Sequence, residues 1–374
     1  MRIGLDLQAT LGEVTGIGAY AAGLAAALPE VAAPHTVVPL RWGRTYHLPA
    51  PLAVLREQWG LAWQAQRQRL DVLHAPGFSA GTLGRAARVL TVHDLCLLER
   101  PDLLPPGPSR HYWAQWIPWS ARRADLVLTP SRFTAERVMQ LLRLPERRVR
   151  HLPFPPRREF HAVSDPAQQQ VRWHYRLPQR FVLAVGACEP RKDWAGLLRA
   201  FALVAPHVPH DLVLAGRASV AGTRERVTAL VAELGLAGRV HRLGYVRYHL
   251  LPALYAAADL FVLPEWYAGY GLPLLEAMAC GTATLSYANT ALQETAADAA
   301  CLVPAPHHPL DVAAALRQLL EQPEQRAAWV RRGHARIAQL DWGRTARQHL
   351  AAYEAAAHAP VSYTHLTLPT ILRV

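Results

Sequence analysis

FVLAVGACEPRKDWAGLLRAF, residues 181–201, is the stretch on which the reading of the chain turns. Phe181 to Val185 form a short, unbroken apolar run, as in a strand covered on both faces. Gly186 marks a turn, after which Leu197 and Phe201 fall one helical turn apart. Strand, turn and helix in that order are half of a βαβ unit. The pattern recurs downstream, where DLVLAGR precedes a helix through Val227 and Leu230, and DLFVLPEW leads to one through Leu275 and Met278. Upstream, RIGLDL precedes a helix from about Gly18 to Leu28, and RVLTVHDL and LVLTPS are each followed by another. The predicted fold class is therefore α/β, with two Rossmann-like domains built on parallel sheets.

Between the two series lies the Pro- and Arg-rich stretch from Pro153 to Pro178, whose prolines oppose regular helix and central strand. The domain linker is placed there. Residues 1–160 are expected to form an N-terminal Rossmann-like domain that binds the acceptor, and 161–340 a C-terminal one that binds the donor. From Pro309 the pattern is only helical, with stretches Val312 to Leu320, Gln325 to Ala338 and Thr345 to Ala355. The last of these, within 341–360, is expected to close back over the first domain. The tail 361–374, beginning VSYTHLTLPT, resembles a translated sequencing adapter and is set aside from functional reasoning.

Of the 374 residues 51% are hydrophobic and 18% charged, enough apolar surface for two compact cores and too little charge for a long disordered region. The net charge of +12 comes from scattered arginines without RNP-like, zinc-finger or basic-heptad patterns, which argues against nucleic acid as partner. Phosphorylated small molecules and an anionic membrane surface account for the same charge. The four cysteines, Cys96, Cys188, Cys280 and Cys301, have no metal-binding spacing and read as buried thiols. The N-terminus lacks the apolar core of a signal peptide, and no apolar run reaches bilayer length, so a cytoplasmic protein is expected, peripheral on the inner face of the membrane. Arg110, Tyr112, Trp113, Trp116, Trp119, Arg122 and Arg123 suit a headgroup region, with a helix packed in the core as the competing reading.

Several site types are disfavoured. No G-x-x-x-x-G-K-[ST] is present, and Gly16-Ile17-Gly18 lacks the third glycine at dinucleotide spacing. No Asp-x-Asp occurs to hold a metal against a diphosphate, so no metal and no cofactor is expected. The group left to neutralise phosphate is Glu189-Pro190-Arg191-Lys192, read as opening a helix, where free N–H groups and two cations would clamp an anion. A solvated basic first turn is the plain alternative. In PEWYAGYGLPLLEAMACG, Pro264 to Gly281, Gly269 and Gly271 let backbone approach a ligand, and Glu276 adds a carboxylate about one turn into a helix. A simple turn and a surface glutamate would give the same letters.

The order of LAVGACEPRKDWAGLLRAF, DLVLAGR, VHRLGYV, LYAAADLFVLP and GYGLPLLEAMACG resembles the second domain of glycosyltransferase family 4, retaining enzymes of the GT-B fold. MRIGLDLQATLGEVTGIGAY, TVHDL and LTPSRF resemble its first domain, so the likeness covers about Met1 to Ala357. The resemblance implies a hexosyltransferase of the bacterial envelope, mannosyltransferase-like, that takes GDP- or UDP-hexose to a lipid-linked or glycan acceptor. It implies that Arg191 and Lys192 hold the diphosphate, and that Glu276 holds the ribose. Tyr270, Gly271 and Leu272 would contact phosphate and sugar through backbone N–H groups. Gly16 and Gly18 would approach from the first domain, and His93, otherwise a strand-end histidine, would touch the donor sugar.

The chain departs from the family at Ala268, where members carry a glutamate eight residues before the Glu276 position that contacts sugar hydroxyls. Glu265 stands three residues early and is expected to point elsewhere unless the loop bends. Two other classes stay open at this stage: a non-catalytic relative that binds a nucleotide sugar or a partner, and a GT-B epimerase.

Overall fold

The computed structural model describes residues 1–43, 50–81, 83–104, 107–217 and 222–358; the tail 361–374 lies outside them. Strands β1 (Arg2–Asp6), β2 (Thr36–Leu40), β3 (Val72–Ala75), β4 (Ala87–Thr91), β5 (Leu126–Thr129) and β6 (Val149–His151) form one parallel sheet in the order β2-β1-β3-β4-β5-β6. Strands β7 (Phe181–Val185), β8 (Asp211–Ala215), β9 (Val240–Gly244), β10 (Leu260–Leu263), β11 (Thr284–Tyr287) and β12 (Cys301–Val303) form the second, ordered β12-β11-β10-β7-β8-β9. Phe181, Val182 and Leu183 are fully buried, as the unbroken apolar run requires.

Each order reverses once, between β1 and β3 in the first sheet and between β7 and β10 in the second. At such a reversal the connections leave on opposite faces and open a crevice beyond the carboxyl ends of the strands. The segments after β1, β3, β7 and β10 therefore carry the site.

One sequence expectation is corrected. The Pro153–Pro178 stretch contains a regular helix, Asp165–Tyr175. Pro166 lies in its first turn, where the missing N–H costs nothing, and the remaining prolines flank it.

The last helix, Trp342–His358, packs on the first domain. Trp342 fills the space beside Gly23 in the Gly16–Val31 helix and donates Nε1 to the Pro156 carbonyl at 2.9 Å. Beyond it runs a buried chain of polar groups whose direction is fixed by one carbonyl. His349 Nδ1 lies 2.7 Å from Thr345 O and must donate, so Nε2 accepts from Tyr20 Oη at 2.7 Å. Tyr20 then accepts from Thr91, Thr91 from His74 Nε2, and His74 Nδ1 from Tyr353. Every member is satisfied in the neutral state, and burial pushes the His349 imidazole down to about 4.

Candidate active site

The turn after β7 carries the basic pair. Pro190–Lys192 is a single 3₁₀ turn, and the helix proper, Trp194–Val204, begins only after Asp193, whose carboxylate accepts from Gly196 N at 3.0 Å. Asp193 is the better N-cap, so Arg191 and Lys192 precede the helix rather than open it. Nor are they a solvated face. Lys192 is 7% exposed, its stem lies along Gly186, and its ammonium contacts the Glu265 carboxylate. Burial, with Arg191 beside it, pushes this ammonium down to about 7, against the pull of the Glu189, Asp94 and Glu276 carboxylates, which favour the charged form. The loop after β10 thus bends as its sequence allowed, and Glu265 points into the site. Trp266 N donates to Arg191 O at 2.8 Å, which ties the two turns together.

Gly271, at φ +92°, caps the Leu272–Ala279 helix in a conformation that glycine adopts without strain. Glu276 is buried one turn in. Tyr255 donates to one of its oxygens at 3.1 Å and Tyr248 to the other at 3.4 Å. Burial pushes its carboxyl up to about 7 against the pull of these two bonds. Tyr270 turns its hydroxyl away, bonding both Phe154 N and Phe154 O, so only its backbone faces the turn. Ala268 is buried, with its N–H donating to Thr290 Oγ1 at 3.1 Å.

The first domain meets this loop directly. Gly269 lies on the His93 carbonyl with no room for a Cβ, and its own carbonyl accepts from Ser131 Oγ at 2.7 Å and Thr134 Oγ1 at 3.0 Å. His93 Nε2 donates to Pro76 O at 2.7 Å, which leaves Nδ1 as the acceptor nitrogen, and burial lowers its pKa. Asp94 lies 4.0 Å from Arg191. Glu294 crosses to cap the Arg132–Leu142 helix through Arg132 N and Phe133 N. The two glycines differ: Gly18 is demanded by the Ala9 carbonyl packed against it and gives its N–H to Thr15, whereas Gly16 has open space before it. Among the described residues no group of three or more His, Cys, Asp or Glu is arranged to hold a metal.

Residues 13–155 match the Glycosyltransferase Family 4 model and residues 168–336 the model for glycosyl transferases group 1. The chain is 32% identical over 298 residues to O-antigen chain mannosyltransferase B of Escherichia coli, covering 78% of this chain and 76% of that protein. The chain belongs to the group 1 glycosyltransferases. It is also 31% identical over 212 residues to the serotype-specific mannosyltransferase WbdA of Escherichia coli, covering 55% of this chain but only 26% of that larger protein. Sucrose-phosphate synthase from Thermosynechococcus elongatus superposes with a TM-score of 0.74 over 95% of this chain and 98% of its own, at 22% identity, which establishes the GT-B fold. The protein is thus a glycosyltransferase that uses a nucleotide sugar donor.

In this glycosyltransferase the structure brings together Arg191, Lys192, Glu276 and the Gly269–Leu272 turn, with His93 and Asp94 from across the cleft. It adds Glu265, expected from its place three residues before Ala268 to point elsewhere unless the loop bends. It also adds two groups that no motif announces, Arg56 and Glu57. The aromatic helix Pro108–Arg123 reads differently once folded: Trp116 is buried and donates Nε1 to Glu57 at 3.1 Å, stacked between Tyr112 and Trp119. Its aromatic residues therefore do not form one outward face. No helix among the described residues is long and apolar enough to cross a membrane.

Proposed function

We propose that the protein transfers a mannosyl or closely related hexosyl group, with retention, from GDP- or UDP-hexose to a lipid-linked or glycan acceptor in envelope polysaccharide synthesis. The observation that carries this is the turn after β7, in which Lys192 is buried and Arg191 partly so, at the chain reversal of the second sheet, beside Glu276 and the N-terminus of the Leu272–Ala279 helix. The two cations and the helix N–H groups neutralise the diphosphate. Glu276 accepts hydrogen bonds from ribose hydroxyls, the Tyr270–Leu272 backbone and Gly16 approach phosphate and sugar, and His93 Nδ1 accepts from a donor-sugar hydroxyl. The acceptor oxygen bonds to the anomeric carbon as that carbon's bond to the diphosphate oxygen breaks. The acceptor proton passes to the leaving diphosphate on the same face. Catalysis then rests on positioning and on charge stabilisation, and the likeness to mannosyltransferases supports mannose.

The membrane contact moves to another helix. Leu52, Leu55, Trp59 and Trp63 are each about half exposed or more and fall at spacings of three and four residues, with the Arg67 guanidinium over the Trp63 ring. An apolar stripe edged by a cation suits the membrane interface and would bring the enzyme to a lipid-linked acceptor.

The test is product analysis. Incubation with GDP-mannose and a synthetic mannosyl acceptor should yield an acceptor extended by one α-linked mannosyl residue, read by proton NMR at the anomeric position. An inverted linkage, or an epimerised donor without nucleotide release, would overturn the reading.

A further inference from the structure

The first turn of the Arg132–Leu142 helix is completed by the other domain. The N–H groups at a helix start lack partners within the helix and are ordinarily met by its own cap. Ser131 does this once, its Oγ accepting from Thr134 N at 3.0 Å. The next two bonds cross the cleft, where Glu294 Oε2 accepts from Arg132 N at 2.8 Å and from Phe133 N at 3.3 Å. Its other oxygen lies 3.2 Å from His151 Nε2 at the end of β6, so the whole carboxylate faces the first domain. A carboxylate here also meets the positive end of the helix dipole. The hydroxyls of the same turn reach back the other way. Ser131 Oγ donates to the Gly269 carbonyl at 2.7 Å and Thr134 Oγ1 to the same oxygen at 3.0 Å. Together they fill both lone pairs of that carbonyl, and each residue is only 1% exposed, which keeps water from competing.

What these contacts grip is the loop that carries the Tyr270–Leu272 backbone. Gly269 also lies on the His93 carbonyl, so first-domain groups fix it on two sides. Glu294 sits in the short helix Leu292–Ala296, whose other residues reach the same loop: Thr295 Oγ1 donates to Tyr270 O, and the Leu292 side chain occupies the space beside Gly271. One helix thus docks on the first domain through Glu294 and holds the loop through the residue next to it. The bonds fall on the carbonyls of Gly269 and Tyr270. A peptide unit is planar, so fixing the Gly269 C=O fixes the direction of the Tyr270 N–H, and fixing the Tyr270 C=O fixes that of Gly271. The domain contact therefore sets the aim of two N–H groups without using either of them.

We propose that Ser131, Thr134 and Glu294 are positioning residues: docked across the cleft, they aim the Tyr270 and Gly271 N–H groups at the donor, so that the loop is set only while the two domains are together. The proposal rests on the reading of this backbone as a donor contact. Amide hydrogen exchange without nucleotide is followed over residues 264–276 and 132–142, together with kcat for mannosyl transfer, in wild type, Thr134→Val, Thr134→Ser and Glu294→Ala. Thr134→Val keeps the shape and loses the hydroxyl, whereas Thr134→Ser keeps the hydroxyl and loses a methyl group. Exchange over 264–276 should quicken about 5-fold in Thr134→Val and about 10-fold or more in Glu294→Ala, where bonds to a charged group are lost, and kcat should fall by similar factors. Thr134→Ser should stay close to wild type in both. A packing role for Thr134 would make Thr134→Ser the worse replacement, and a role confined to capping would quicken exchange in Glu294→Ala over 132–142 alone. Either result would overturn the proposal, and neither needs an active enzyme to be seen. Faster exchange over 264–276 with unchanged kcat would instead remove the donor reading beneath it.

Discussion

The two halves of the cleft solve the same problem with opposite kinds of sequence. In the second domain the donor groups come from two short segments, Gly186–Asp193 and Pro264–Glu276, each following its strand, so residues near in sequence are near in space. In the first domain the floor of a cavity of about 630 Å³, between the segments after β1 and β3, gathers Asp6, Arg56 with Glu57, Ser79 and Trp116 from four separate places. The contrast teaches where chemistry can be read from letters: the first arrangement writes a motif, and the second does not. It also separates two uses of buried charge. Lys192 and Glu265 are matched to each other, whereas Arg56, whose Nε is buried with no partner, and Glu57, with one bond on each oxygen, are held with bonding capacity to spare.

The sharpest way to break this contrast is to remove one partner of the matched pair. Lys192→Met leaves Glu265 buried beside no cation, and breaking a buried pair from one side costs about 3–5 kcal/mol. The expected result is a large fall in melting temperature that Lys192→Met/Glu265→Gln restores. An unchanged melting temperature in the single variant would show that Glu265 does not depend on Lys192.

The pH dependence of stability sharpens it, because Glu276 and His349 carry opposite signs. Glu276 has a folded pKa of about 7, above its ordinary 4.5, so between those values the folded state holds more protons than the unfolded one. Its contribution is full below the unfolded value and is lost as pH rises to about 7. That loss is about 3 kcal/mol at ~1.4 kcal/mol per pH unit. Glu276→Gln should therefore melt higher than wild type at pH 8 and close to it at pH 4.5, while binding nucleotide more weakly. For His349 the folded value of about 4 lies below 6.5, so its contribution is present above pH 6.5 and lost as pH falls toward 4. The chain through Tyr20 and His74 then loosens in acid, and His349→Gln should flatten the acid limb of the stability profile. A profile identical in wild type and both variants would contradict the burial argument.

The smallest effect concerns the outer face of the helical segment that carries Arg56 and Glu57. Trp59→Glu with Trp63→Glu should weaken flotation with anionic liposomes by about 30-fold, some 2 kcal/mol for two half-inserted indoles, and leave thermal stability unchanged. Equal flotation would assign the stripe to another partner.

Most of the fold was legible because parallel strands buried on both faces must be apolar throughout, as FVLAV and LFVL are, and because glycine punctuates the turns that follow. The donor half was legible for the reason given above. Where the reading slipped, a competing preference won. Asp193 capped the helix in place of the basic pair, and Pro166 began a helix where prolines suggested none. The Pro108–Arg123 helix turned Trp116 inward, because Glu57 needed a donor. Glu57 itself was hidden because the π-helical turn Arg56–Gly60 has no sequence period, and the Leu52–Trp63 stripe, read by period alone, gives an ordinary amphipathic helix with its apolar face taken for the core.

The donor diphosphate is assigned to Arg191 and the buried Lys192 in the turn after β7. That assignment is tested most directly by calorimetric titration of GDP and UDP, in EDTA, into wild type and Lys192→Met/Glu265→Gln, the pair that keeps the fold while removing the charge. The wild type should bind at least one nucleotide without divalent metal, and the double variant should lose about 10-fold or more, the worth of a charge-assisted contact. Equal affinity in the two proteins, or wild-type binding that appears only when metal is restored, would contradict it.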